Sequence, residues 1–384
     1  MLLLTFSPVL AAVVTQVDDP IILDKRTGTW ARTFVDSSDQ WWFFLGAGGG
    51  IVAPVDANFD FKEDDLTRLT DRQDLQDHGI VQCPNGDYLH VGSYTQSSSN
   101  DSAHAYRYDA DWNLIADAVL EAGVQDAAHN DMTVICSPDF QGVIFRENGG
   151  PGGQAGRWFS FDAQGNVSGP TTLENTPQIT GGAAIQVGDE MWLFGTQGYQ
   201  QDPLQVKRYD ADLVYLGEQA SVNLSPDGGQ PYWTQGLLKA GDYYLLAHMG
   251  RGQESFDADT GNVYLSILDA DLTLLEQTRL SDYSSGAAGM RPGLMRDGDK
   301  AVVSWDANLR PNLVVLTLDL SGAGNLDSGW DSGDSGDTGP GGGDGVSGCG
   351  GCAGGGQAGG LLAGLIAAGM LGRRRNGSPQ QKPC

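Results

Sequence analysis

A short phrase built on aspartate recurs along the chain at intervals of about fifty residues, and few architectures tolerate such a rhythm. The clearest copies are Arg107-Tyr-Asp-Ala-Asp-Trp-Asn-Leu114, Arg208-Tyr-Asp-Ala-Asp-Leu213 and Ile267-Leu-Asp-Ala-Asp-Leu-Thr-Leu274. Weaker copies stand at Phe59-Asp-Phe61, Phe161-Asp-Ala-Gln-Gly-Asn-Val167 and Leu318-Asp-Leu320. Taking one aspartate per copy as the marker gives Asp60, Asp109, Asp162, Asp210, Asp269 and Asp319, separated by 49, 53, 48, 59 and 50 residues. Periods of this length belong to solenoids, propellers and related arrays, in which one supersecondary unit buries its faces against its neighbours.

The surroundings of the phrase identify the unit. About twenty residues upstream of each copy lies a strongly apolar run: Gln40 to Leu45, Asp87 to Val91, Gly142 to Phe145, Asp189 to Phe194, Asp242 to Ala247 and Lys300 to Trp305. Before most of these comes another short strand closed by a tight turn, such as Gly79 to Gly86 or Ala183 to Gly188. The turns are rich in Gly, Asn and Asp, and long helical periodicity is absent. Four short strands repeated six times predict an all-β, six-bladed β-propeller of four-stranded blades over residues 18–322. The aspartate phrase then forms the hairpin between the third and outer strands, where Asp caps a turn by bonding its own backbone. A pair of β-sandwiches is the structural alternative, but it leaves the even spacing unexplained.

The net charge is −27. Residues after Gly322 hold five Asp, three Arg and one Lys, a net of −1, so the body carries about −26. Such a surface repels phosphates and anionic lipid heads, which excludes nucleic acid as a partner class. Cys83 and Cys136 are the only cysteines of the body and occupy matching positions on the innermost strands of neighbouring blades. They are a disulfide candidate for an oxidising compartment, with geometry left to decide.

Propeller ligands usually enter the central funnel, so the residues that open each inner strand are the ones to weigh. They include Asp77-His78-Gly79, His129-Asn130-Asp131, Thr180-Gly181-Gly182, Tyr232-Trp233-Thr234-Gln235 and Met290-Arg291-Pro292. His78, His129, Asp131, Trp233 and Arg291 converging on one axis would make a polar pocket, and histidine beside carboxylate suits acid/base chemistry or a metal. The plainer expectation is that His78 and His129 bond backbone between blades. Calcium is the one cofactor left open. Asp257-Ala-Asp259-Thr-Gly261-Asn262 resembles the start of an oxygen-ligand loop, although the closing acidic residue is missing and a turn explains it more simply. The aspartate phrase differs from the sialidase Asp-box, lacking its regular Ser before and Thr-Trp after, and an arginine triad cannot be assigned, Arg291 alone being suggestively placed. No GxSxG, HExxH, P-loop or dinucleotide fingerprint occurs. No catalytic residue is assigned on these grounds.

The two ends read as addresses. Met1 to Val14 is an apolar run cut off by Asp18-Asp19-Pro20, and residues 1–17 read as a signal peptide that lacks the usual basic start. At the other end an Asp/Ser/Gly spacer, residues 323–348, is read as a disordered linker. It leads to Cys349-Gly-Gly-Cys352, an uncharged stretch from Ala353 to Gly372, and Arg373-Arg374-Arg375. That stretch reaches the ~20 residues a membrane helix needs, and the arginines would stay on the cytoplasmic side. A redox or zinc role for Cys349 and Cys352 lacks the strand-helix context or the further ligands such sites require. In type and order, Cys349, Cys352 and Arg373 to Arg375 resemble the MYXO-CTERM class of sorting tails of myxobacteria. That resemblance covers only about the last forty residues. It implies processing by a membrane-embedded sorting protease and display at the surface of a Gram-negative cell. Residues 376–384 continue beyond the arginines, where such tails usually stop.

The reading is thus an exported propeller anchored at the cell envelope through a C-terminal membrane helix. It serves as a binding or interaction module for a protein or glycan; the alternative is a secreted hydrolase or lyase with its site in the funnel.

Overall fold

A computed structural model describes residues 13–23, 29–36, 38–46, 49–72, 77–93, 103–120, 132–146, 156–196, 203–224, 230–231, 234, 236–251, 261–283, 290–307 and 310–323. The leader up to residue 12, the linker from residue 324, and the Cys349, Cys352 and Arg373 to Arg375 signature lie outside these residues, whereas Ala323, placed in the linker by the sequence reading, is buried against the propeller with its carbonyl accepting from Asp242 N–H. So does the whole second unit of the chain, residues 337–384. Among the described residues no helix is long and apolar enough to cross a membrane, and the one helical turn is the 3-10 segment Glu63–Asp65.

The chain is a six-bladed β-propeller of four-stranded antiparallel blades. Blade 1 runs outward through Thr29–Val35, Trp41–Gly46, Ile51–Pro54 and Thr67–Arg68. Blades 2, 3 and 4 open on the inner strands Asp77–Gln82, Met132–Cys136 and Gln178–Val187. In blade 5 the inner strand is interrupted, as Gln230–Pro231 and Gly236–Ala240, both pairing with Tyr243–Arg251. Blade 6 takes Met290–Asp297, Lys300–Ala307 and Arg310–Leu318 from the C-terminal side, and its outer edge from Val14–Val17 and Ile21–Ile22. The first strand therefore closes the ring on the last blade. Residues 14–17, included in the leader by the sequence reading, form part of the propeller edge. Val13 N–H and Val14 N–H donate to Glu276 Oε2 of blade 5, at 2.6 and 3.3 Å.

Six apolar clusters hold the ring, one at each blade interface. Phe43, on the second strand of blade 1, packs toward blade 6 with Val302 and Leu313, whereas its neighbour Phe44 packs toward blade 2 with Ile80 and Tyr88. The same alternation places Leu245 against blade 6 and Leu246 against blade 4. A middle strand is apolar at successive positions because both its faces are interior. The inner strands touch their neighbours all the way round.

The aspartate phrase forms one hairpin repeated between third and outer strands. In blade 2, Trp112 N–H donates to the Asp109 carbonyl at 3.0 Å and Asp109 N–H to the Asn113 carbonyl at 2.9 Å. The Asp109 carboxylate accepts from Asp111 N–H and Asn113 N–H at 3.0 and 2.8 Å. Asp162, Asp210 and Asp269 do the same in blades 3 to 5. In blade 1 the capping residue is Asp56, bonded by Asn58 N–H and Asp60 N–H, so the repeat marker sits four residues before Asp60. Each loop is a tight turn followed by one left-handed residue. Glycine fills that position only at Gly165, φ +80°. Phe59, Trp112, Leu213 and Leu272 take it at φ 57° to 64°. A left-handed L residue costs roughly 1–2 kcal/mol, and burying its large side chain returns about 1.5–3 kcal/mol. Trp112 illustrates the balance, stacking on Tyr88 with ring centroids 3.7 Å apart.

Cys83 and Cys136 are joined by a disulfide that links blades 2 and 3, with Cα atoms 4.9 Å apart. Both are buried among Leu89, Met132 and Phe145. The bond closes a loop of 53 residues, and a loop of that size limits the unfolded chain enough to contribute about 4 kcal/mol. Replacing both cysteines by serine is expected to lower the unfolding free energy by that order in denaturant titrations, and reductant is expected to do the same to the native chain.

A buried polar ladder crosses blade 5. The His248 Nε2 lies 2.8 Å from Ser266 Oγ, and Gln277 Nε2 donates to Ser266 Oγ at 2.8 Å. Burial pushes the His248 imidazole down from 6.5 to about 4. The unfolded chain then binds the proton more tightly, so stability is full above pH 6.5 and falls as pH drops toward 4. Relative to a His248→Gln variant, the native chain is expected to lose up to about 3 kcal/mol over that window in pH-dependent melts.

Candidate functional site

The two ends of the propeller differ. One carries mostly tight connections among the described residues, such as Asp36 to Gln40, Cys83 to Asp87 and the repeated aspartate hairpins, that of blade 1 being extended by the 3-10 turn Glu63–Asp65. The strand ends flanking segments 94–102, 121–131, 147–155 and 252–260 all lie at the other end, together with the starts of the inner strands. At that second end, on the seam where blade 6 meets blade 1, four side chains of opposed chemistry are packed together: Trp30, Arg32, Arg291 and Asp306.

Backbone irregularities aim these residues. The inner strand of blade 1 pairs Thr29 with Gly46 and then Arg32 with Phe44, a bulge containing Trp30 at φ 63°. The inner strand of blade 6 pairs Met290 with Asp306 and then Gly293 with Ser304, a bulge containing Arg291 at φ 51°. The two left-handed residues thus hold the same place in adjacent blades, and bulges commonly re-aim side chains at barrel rims and functional sites. Gly293 is required locally, because a Cβ there would come within 2.5 Å of Arg32 Cδ.

Asp306 is the penultimate residue of the second strand of blade 6 and is fully buried. Its Oδ2 accepts from Arg291 Nη1 at 3.0 Å, and its Oδ1 lies 3.4 Å from Trp30 N–H. Arg32 Nη1 donates to the carbonyls of Ala31 and Arg291 at 2.8 and 2.7 Å. Both guanidiniums lie over the Trp30 ring, that of Arg291 at 5.0 Å and that of Arg32 at 5.8 Å from its centroid. Cations so placed are drawn to the ring face. The described side chains of the seam therefore set two guanidiniums against one carboxylate in a protein of net charge −27.

Electrostatics follow from burial. Desolvation pushes the Asp306 carboxyl up from its ordinary 3.8, while Arg291, then the Trp30 N–H, then Arg32 pull it back. Desolvation lowers Arg32 to about 10, against the favourable pull of Asp306.

Of the residues that the sequence singled out, Arg291 lies in this cluster. His78 opens the inner strand of blade 2, where its backbone pairs with Gly92. The His78 side chain lies outside the described residues, as do His129, Asp131, Trp233 and the calcium candidates Asp257 and Asp259. Among the described residues no group of three or more His, Cys, Asp or Glu is arranged to hold a metal. Sequence reasoning missed Trp30, Arg32 and Asp306. Thr29-Trp-Ala-Arg32 and Met290-Arg-Pro-Gly293 match at no position, and their correspondence lies in the bulge and positive φ that only the folded chain shows. Asp306 gave no signal, since it belongs to no repeated phrase.

No family model and no curated protein sequence matches the chain. Among solved structures, a protein of unknown function from Dyadobacter fermentans DSM 18053 superposes with a TM-score of 0.56 at 9% identity, covering 79% of this chain and 99% of its own. That likeness concerns the fold. An N10 neuraminidase-like protein of A/little yellow-shouldered bat/Guatemala/060/2010 gives 0.49 at 11% identity, covering 79% and 98%. A Bacteroides caccae protein of unknown function gives 0.43 at 7%, covering 66% and 84%.

Replacing Arg291 by alanine leaves a buried carboxylate short of its partner, and is expected to cost about 3 kcal/mol at neutral pH. The native state already holds the Asp306 proton more tightly than the unfolded chain, so this group adds stability in acid and loses it as pH rises above 3.8. Removing Arg291 raises the carboxyl further. The deficit of the variant should therefore narrow as pH is lowered, read by melting at several pH values.

Proposed function

We propose that this propeller is a cell-surface binding module for a protein or glycan, engaging its partner at the end of the funnel where the inner strands begin. The observation that carries the reading is the pair of guanidiniums supplied by neighbouring blades and stacked on Trp30. Trp30 is buried beneath the two partly exposed arginines and holds them in place, and cationic groups already held need little reordering on binding, which favours recognition. The longer connections of blades 2, 3 and 5 rise from the same end of the propeller, and binding residues concentrate on such loops over a rigid scaffold. Export and anchoring come from the apolar leader and from the tail that resembles a MYXO-CTERM signal, with a sorting protease and the membrane as the tail's partners.

A second reading, a hydrolase or lyase, is favoured by Asp306, a carboxyl raised by burial beside a funnel arginine. One experiment separates the two. The full chain is applied to an immobilised panel of neutral and acidic glycans, and the eluate is assayed for new reducing ends and unsaturated sugars. Retention without product, weakened by Arg291→Ala, is expected. Product formation that disappears in Asp306→Asn would replace the binding reading with the enzymatic one.

A further inference from the structure

The opposite end of the propeller carries a cleft between blades 3 and 4, unrelated to the seam. Its volume is about 330 Å³, near the lower end of ligand pockets, which run from about 300 to 1,000 Å³. Its apolar walls come from Phe140, Trp158 and Leu213, and Ala211 stands on the blade 4 side. Two carboxylates line it, Asp139 and Asp162, both from exposed residues of blade 3 hairpins.

Neither carboxylate is loosely placed. Gln186 of blade 4 donates from Nε2 to Asp139 Oδ2 while its Oε1 accepts Asp139 N–H at 3.1 Å. Asp162 is fixed within its own turn, where Asn166 Nδ2 donates at 2.7 Å and the N–H groups of Gln164 and Asn166 at 2.9 and 2.8 Å. The Asn166 side chain and then its backbone hold the Asp162 carboxyl below the ordinary range. The nearby cation, Arg107, is buried and spends its charge on Asp87 at 3.1 Å, reaching Gln141 Oε1 and the Asp162 carbonyl with Nη1. It leaves the Asp139 side of the cleft acidic.

We infer that this cleft receives a basic side chain, arginine foremost, projecting from a partner protein. An arginine combines a flat apolar stem, which the Phe140, Trp158 and Leu213 walls suit, with a forked cation that matches carboxylates held in place. The charge of −27 on the chain draws such a partner and repels an acidic one. This site is independent of the seam, so a failure of either leaves the other standing.

The test uses the full chain with acetyl-Gly-Arg-Gly-amide as probe and the citrulline peptide as its uncharged match, read by saturation-transfer NMR at low salt. The arginine peptide is expected to give signals that the citrulline peptide lacks, and they should weaken with added salt. Asp139→Asn, which keeps a partner for Gln186, should weaken binding about ten-fold. Ala211→Trp should abolish it by filling the cleft, with Ala163→Trp used in its place if the first lowers the melting temperature. Equal signals from both peptides, no signal from either, or wild-type signals in a folded cleft-filled variant would overturn the assignment.

Discussion

Every blade of this protein must bury both of its faces, and that requirement organises nearly everything else. A four-stranded sheet with two apolar faces is insoluble alone, and a row of such sheets still leaves one open face at each end. Closing the row into a ring removes both ends at once. Six apolar clusters, one between each pair of neighbours, are the result. Successive aromatic residues such as Phe43 and Phe44 make sense only there, since one faces blade 6 and the other blade 2.

Ring closure also creates the seam. Blades 1 and 6 meet through residues more than 250 positions apart, and the outer edge of blade 6 comes from the N-terminal strand Val14–Val17. Asp306, Arg291, Trp30 and Arg32 reinforce this junction, the guanidiniums bonding the buried carboxylate and the backbone of the inner strands. Removing one partner of the buried pair is costly because the other remains desolvated.

The repeat was readable because its residues act locally. Asp109 caps the turn that follows it through its own neighbours' amides, so turn chemistry appears as a short string wherever the hairpin occurs. The same logic misled at blade 1, where Phe59-Asp-Phe61 looked like the phrase but Asp56 performs the capping and Asp60 supplies the closing carbonyl. The seam was only partly legible. Arg291 could be placed from its position at an inner-strand start, whereas Asp306 stands next to last in an ordinary apolar strand and gains its meaning from a residue 276 positions away.

Period, strand number, turn chemistry and net charge follow from the order of amino acids alone, because each depends on neighbours along the chain or on a sum over it. The tertiary structure decided which strand seals the ring, that Cys83 and Cys136 are bonded across two blades, and that two arginines share one tryptophan and one carboxylate. Those facts are contacts between distant segments, and blade packing rather than sequence proximity sets the distances on which they depend.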